Sequence, residues 1–255
     1  GVRENGTAEG QADPWLQSLS KEQARARLAG MGFADPQRIH ARLADIRSSA
    51  RYRRMAASSQ ALLDRLVPQL LQTAQALPNP DATFERMLNV ADSIGRRESY
   101  LALLLEYPNA TAGLARLASA SPWAADYLAQ HPVLLDELIN PQGGSDVPDW
   151  TRLRETLRAG LEEHDGNPER QMDILRHFKQ AQTLRLLAQD LAGSLSLETL
   201  SDHLSDLAGT VLEQVLRLAW NALRTRHREQ PRFAIIGYGK LGGKELGYAS
   251  DLDII

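Results

Sequence analysis

At Asp35-Pro36, Ser121-Pro122 and Asn167-Pro168, a residue that can cap a helix stands directly before proline. No other feature restricts the fold so tightly. Proline has no N–H to donate, so it belongs in the first turn of a helix, where that N–H would have no intrahelical partner. The preceding side chain accepts a hydrogen bond from a backbone donor otherwise left orphaned. Each pair predicts a helix start. Ser20 to Gln23 (SKEQ) predicts another, as a capping box in which the Ser20 hydroxyl and the Gln23 amide each satisfy a free backbone N–H. Gly30 suits the end of that helix.

Between these starts the apolar residues recur at three and four. Phe84, Met87, Leu88, Ala91 and Ile94 form one such stripe; Leu204, Leu207, Val211, Leu212, Val215 and Leu218 form another. Composition agrees: 43% of the chain is hydrophobic but only 5% aromatic, and Leu and Ala favour helices over β-sandwiches. We expect a mainly α protein, an irregular helical bundle over residues 15–230 with no repeat of fixed period. Residues 100–105 are apolar nearly all round and are expected to be buried. Pro68, inside LLDRLVPQLLQ, predicts a kink or a break. Asn140 to Asp149 (NPQGGSDVPD) is the clearest loop, and the polar, Gly-rich residues 1–14 read as a disordered end or linker.

Several function classes are disfavoured at once. The net charge is −3, so no general affinity for nucleic acid is expected, which would need a basic surface. There is no cysteine, hence no disulfide framework and no thiolate metal site, which fits a reducing compartment and a cytoplasmic location. Charged or amide side chains interrupt every leucine-rich stretch, so no membrane span is expected.

The character changes at Pro231. Arg232 to Gly237 (RFAIIG) reads as a buried strand and DLDII, after it, as a second. A boundary is expected near residues 228–231, with residues 231–255 as the start of another domain. The stretch GYGKLGGKELGYASDLDII carries the chemistry. Gly237, Gly239 and Gly242 match the dinucleotide-binding fingerprint, but that motif opens a long helix and needs an acidic residue about 20 positions further on; here a strand follows within a few residues. A phosphate-binding P-loop also fails, because Gly242-Gly243-Lys244 is followed by Glu245 instead of Ser or Thr. Asp251 and Asp253, at i and i+2 on a strand, project from the same face, with Leu252 and Ile254 turned to the opposite core. Paired carboxylates of this kind hold hard divalent cations that clamp a nucleoside triphosphate. Glycines let backbone approach phosphate oxygens. The blander reading is a glycine-rich turn beside a solvated edge strand with two surface aspartates. Glycines, spacer and aspartates in register with strand signals favour the first, the pattern of polymerase-β-type nucleotidyltransferases.

The string resembles the signature of the glutamine synthetase adenylyltransferase family at Gly237, Gly239, Lys240, Leu241, Gly242, Gly243, Glu245, Leu246, Tyr248, Ser250, Asp251 and Asp253. RYRRMAASSQALLDRLVPQLL, SIGRRESYLALLLEYPNA, ASPWAADYLAQHPVLLDELINP and LRHFKQAQTLRLLAQDL also look like the family's helical segment before a catalytic domain. The form GYGKLGG, with RRESYLALL and HPVLLDEL, is nearer to the C-terminal, adenylylating half of these bifunctional enzymes than to the deadenylylating half. The resemblance implies transfer of AMP from ATP to a tyrosine of glutamine synthetase, removal of that AMP by the other half, and control by the signalling protein PII. It implies that Asp251 and Asp253 hold Mg²⁺ and act in catalysis, that Gly239, Gly242 and Gly243 lie against the triphosphate, and that Lys240 neutralises phosphate while Ser250 braces the strand. It also implies a third carboxylate on a later strand, so we expect this chain to be a piece of a longer enzyme, inactive alone, its tail packed on the helices or paired with a neighbour if ordered.

Two other functions stay open: a helical docking module for a protein partner, and another nucleotidyltransferase of the same superfamily, such as a uridylyltransferase. Gly and Asp contact phosphate and metal and do not read a base. Elsewhere, His131 reads as a helix boundary, and His164, His177 and His203 share neither a helical face nor a ligand spacing. Arg51, Arg53 and Arg54 read as a solvated face. Arg96 and Arg97 suggest a buried ion pair with Glu98 or Asp92. Arg176 and Lys179 are the best helical candidates for lining a nucleotide cleft.

Overall fold

A computed structural model of the protein describes residues 14–16, 19–139 and 147–255. The linker expected at 1–14, apart from Pro14, and most of the 140–149 loop lie outside these. The chain divides into two compact units, Gly1–Pro141 and Gln142–Ile255, a division that periodicity did not mark.

The first unit is built from α1 (Lys21–Gly30), α2 (Pro36–Ser48), α3 (Ala50–Arg53), α4 (Ala57–Ala74), α5 (Pro80–Ser93), α6 (Glu98–Glu106), α7 (Pro108–Ala120) and α8 (Pro122–Gln130), with 3₁₀ turns at Pro14–Leu16 and Pro132–Leu138. Helix starts fall where the caps put them. The Ser20–Gln23 capping box forms in both directions. Asp35 accepts from the Arg38 N–H at 3.0 Å and Ser121 from the Ala124 N–H at 3.3 Å. His131 is the C-terminal cap of α8, the boundary role expected of it.

Helices α4 and α5 pack on each other, α4 also against α6 and α7, and α5 also against α7 and α8. The stripe Phe84, Met87, Leu88, Ala91 and Ile94 is completely buried. In α6, Leu101, Leu103 and Leu104 are buried while Tyr100, Ala102 and Leu105 are half-buried. Pro68 does not break α4, which runs through it. Buried Leu66, Val67, Leu70 and Leu71 flank it, and their packing outweighs one missing backbone hydrogen bond. Among the described residues Arg96 and Arg97, both exposed, form no buried ion pair: Asp92 is taken by Arg51 at 2.8 Å, and Glu98 accepts from the Ser58 and Ser59 hydroxyls. Arg97 instead lies over the ring of Tyr100.

The second unit contains α9 (Trp150–Glu163), α10 (Pro168–Leu191), α11 (Leu197–Ala222) and a one-turn helix, α12 (Gly239–Gly242). Asn167 caps α10, accepting from the Arg170 N–H at 3.1 Å. Leu157 and Leu161 of α9 meet Leu175 of α10, with Phe178 and Leu218 against them. The stripe on α11 is buried only at its start: Leu204 and Leu207 are buried but Val215 is exposed. Glu162 of α9 accepts from Arg158 and Arg217, each at 3.1 Å.

The two expected strands do not form regular β-structure among the described residues. Gly237 and Ile254 make an isolated antiparallel bridge, supported by Ile236 N–H to Ile255 O at 2.9 Å, Ile255 N–H to Ile236 O at 3.0 Å and Tyr238 N–H to Asp253 O at 2.8 Å. Nor is Arg232–Gly237 buried: Phe233 is 63% and Ile236 53% exposed, and Leu252 and Ile254 also face outward. Among the described residues these two short segments pair only with each other, and no third strand extends the ladder.

Candidate active site

The glycine-dense stretch folds into a closed turn. Gly242 N–H donates to Tyr238 O and Gly243 N–H to Gly239 O, both at 2.9 Å, and Glu245 N–H returns to Lys240 O at 2.7 Å. Gly239 has φ +51°, a left-handed conformation that side chains rarely adopt. A Cβ there would collide with Asp253 Oδ2, and one on Gly242 would lie 2.5 Å from Gly237 O. Glycine is therefore required at Gly239 to admit the Asp253 carboxylate, and at Gly242 to let the turn close on the bridged segment. The N–H groups of Gly242 and Gly243 are engaged inside the turn, so in this conformation neither is free for a phosphate oxygen.

Asp251 and Asp253 are both exposed, as is Lys240. Ser250 closes its own turn: its Oγ accepts from Gly247 N–H at 3.0 Å, and its N–H donates to Gly247 O at 3.1 Å. Backbone pairing (236–238 with 253–255) thus brings Asp253 to the Gly239 turn, and a second tight turn directly precedes Asp251. The carboxylates offer hard oxygen ligands, a donor set that suits Mg²⁺, which is commonly held by one or two carboxylates plus substrate phosphates. Among the described residues, no group of three or more metal-ligating side chains is assembled.

The segment is held against α10 and α11. Leu246 is only 4% exposed and packs with Leu186, Leu200 and Leu204, with Leu241 and Tyr248 alongside. Tyr248 OH donates to Asp190 Oδ2 at 2.9 Å, and Lys244 Nζ lies 3.5 Å from Asp202 Oδ1. Burial, reinforced by the Asp190 hydrogen bond, raises the Tyr248 hydroxyl well above its ordinary pKa. Sequence reading anticipated packing on the helices but not the residues responsible. No motif marks Asp190 or Asp202; an aspartate in the last turn of α10, where the helix dipole disfavours negative charge, was the one available signal.

Other candidates fall elsewhere. Arg176 pairs with Asp173 on its own exposed face at 3.1 Å. It lies ten residues from Leu186, about 15 Å along α10, so the structure does not bring it to the glycine turn. His164 Nδ1 pairs with Gly160 O at 3.1 Å, capping α9, and Trp150 Nε1–H donates to His203 Nδ1 at 3.0 Å. Arg51, Arg54 and Arg96 line an open cleft of the first unit.

Residues 111–255 match the family model described as glutamate-ammonia ligase adenylyltransferase. A protein of Chromobacterium violaceum is 49% identical over 94% of this chain and 27% of its own length. One of Nitrosomonas eutropha is 49% identical over 89% of this chain and 25% of its own length, and one of Neisseria meningitidis serogroup B is 46% identical over 94% and 27%. Each bears the name bifunctional glutamine synthetase adenylyltransferase/adenylyl-removing enzyme. The chain spans about a quarter of the length of these curated relatives. With more than half of its residues under one family model, the chain belongs to the glutamate-ammonia ligase adenylyltransferase family.

Proposed function

We propose that this chain forms part of an enzyme that transfers AMP from ATP to a tyrosine of glutamine synthetase, with residues 231–255 contributing to its nucleotidyltransferase domain and the preceding helices supporting it. The observation that carries this reading is the close approach of the Asp253 carboxylate to the left-handed Gly239 turn, with Asp251 and Lys240 exposed in the same segment. Two exposed carboxylates and an ammonium on one short segment, with glycine where Asp253 meets the backbone, supply charges of the kind that a metal-bound triphosphate requires. Asp251 and Asp253 hold Mg²⁺, which when bound neutralises charge on the phosphate oxygens. Lys240 adds positive charge for the phosphates, Gly239, Gly242 and Gly243 keep the surface beneath them low, and Ser250 fixes the backbone leading into Asp251. A cytoplasmic enzyme under control by PII completes the proposal. No helix among the described residues is long and apolar enough to cross a membrane.

The test is Asp251→Asn and Asp253→Asn in the complete enzyme. Each substitution removes a charge needed by the metal while leaving the side-chain volume and the helices unchanged. AMP transfer should fall by at least 100-fold, on the order of 3 kcal/mol of transition-state stabilisation, with the circular dichroism spectrum unaltered. Near-normal transfer in both variants would refute the assignment; loss of AMP removal with transfer intact would place the segment in the opposite half.

A further inference from the structure

The aspartate pair has little holding it from its own side. Leu252, Ile254 and Ile255 are exposed, and among the described residues the 253–255 backbone pairs with 236–238 alone. Side-chain anchorage comes from the residues just before the pair. Leu246 is enclosed by Leu186, Leu200 and Leu204, Lys244 faces Asp202, and Tyr248 reaches Asp190 across 58 positions of sequence. Of these, the Lys244–Asp202 pair is solvated and weak, and Leu246 is non-directional. The Tyr248 hydrogen bond alone fixes an orientation.

We propose that Asp190 is a positioning residue for the aspartate pair, acting through Tyr248 to set where residues 247–253 lie on α10 and α11. This rests on the functional reading given above. Three observations support it. Asp190 stands in the last turn of α10, where a carboxylate is disfavoured by the helix dipole unless a donor compensates it; Tyr248 OH is such a donor. Tyr248 lies within the Gly247–Ser250 turn, which is closed from both sides by Ser250, and Asp251 follows directly, so displacement of the ring moves the pair. Leu241, inside the glycine turn, packs on the same cluster as Leu246 and Tyr248, so the turn under Asp253 is carried by the same support. The raised Tyr248 ionisation keeps its hydroxyl protonated, and thus a donor, throughout the neutral range.

The test uses Asp190→Ala, Asp190→Asn and Tyr248→Phe, with two readouts. The first is amide exchange in this 255-residue chain. Tyr238, Glu245, Ser250 and Ile255 N–H groups should exchange roughly tenfold faster in Asp190→Ala and Tyr248→Phe, as expected for loss of a charge-assisted hydrogen bond. Asp190→Asn, which keeps an acceptor, should change them less, and the amides inside α10 and α11 should be unaffected. The second is AMP transfer by the complete enzyme as a function of Mg²⁺. Asp190→Ala and Tyr248→Phe should raise the Mg²⁺ concentration for half-maximal rate about tenfold and recover most of their rate at high Mg²⁺, which simple instability would not do. Unchanged tail exchange in both variants, or a rate deficit that Mg²⁺ does not relieve, overturns the proposal. If Asp251→Asn transfers AMP normally while the exchange result holds, the functional reading has failed and the anchorage stands.

Discussion

The same substitution, glycine to alanine, is expected to act with opposite sign at Gly209 and at Gly242. Gly209 lies inside α11 on an exposed face, and a Cβ there meets nothing within 4 Å. Alanine should stabilise by about 0.5–1 kcal/mol by lowering the entropy lost on helix formation, raising Tm by roughly 1–4 °C. At Gly242 the same propensity gain is available, but the new Cβ would lie 2.5 Å from Gly237 O and 3.1 Å from its carbonyl carbon. Both atoms are backbone and cannot rotate away, so the turn and the bridged segment must separate by nearly 1 Å. That movement strains the Gly242 and Gly243 N–H bonds to Tyr238 and Gly239 and the Tyr238 N–H bond to Asp253, all between 2.8 and 2.9 Å. At about 1 kcal/mol per hydrogen bond, the loss is about 3 kcal/mol against a gain of about 1, a net local destabilisation near 2 kcal/mol. Amide exchange at Gly242, Gly243 and Tyr238 should therefore accelerate about 30-fold, while the thermal transition of the helices barely moves. Alanine at Gly242 with exchange as slow as wild type would show that the turn is not closed in solution and would refute the steric argument.

Other outcomes can be checked directly. Asp81 accepts from the Ala34 and Asp35 N–H groups, both at 2.8 Å, so Asp81→Ala should cost about 1–3 kcal/mol in chemical denaturation. Tyr52 is pushed up to about 12 by burial, with its hydrogen bond to Asp64 reinforcing the shift. Its folded-state pKa exceeds the unfolded value near 10, so its contribution is complete below pH 10 and is lost as pH rises toward 12. Ultraviolet titration should show Tyr52 ionising late, as Tyr248 also does, with one late step lost in Tyr52→Phe, and that substitution should flatten the alkaline loss of stability. Ser196→Ala removes the acceptor of the Thr199 N–H at 3.2 Å and should lower stability by about 1 kcal/mol in a thermal melt.

Helix starts were legible because capping is local. Asp35, Ser121 and Asn167 each bond a backbone N–H three residues ahead, so the signal and the structure share one short window. The buried face of α5 was legible because its stripe of apolar residues meets partners all along its length. The face of α11 was not, since periodicity says which residues share a side but not how far the partner extends; Val215 belongs to the stripe and remains exposed. The break that Pro68 allowed does not form for a related reason: propensity describes an isolated helix, and packing on both sides of the proline carries α4 through it.

The sequence by itself determined the helical character of the described residues between Lys21 and Ala222, the places where helices begin, and the identity of the turn and carboxylates that form the candidate site. All of these are encoded over a few consecutive residues, by dihedral preference, capping and i, i+2 spacing. Only the tertiary structure decided that the glycine turn consumes the N–H groups of Gly242 and Gly243, that the apolar run at Phe233–Ile236 is left uncovered, and that Asp190 and Leu186 support a segment some sixty positions away. Hydrogen-bond partners and burial depend on which surfaces meet in space, and contacts between distant positions leave no local pattern from which they can be read.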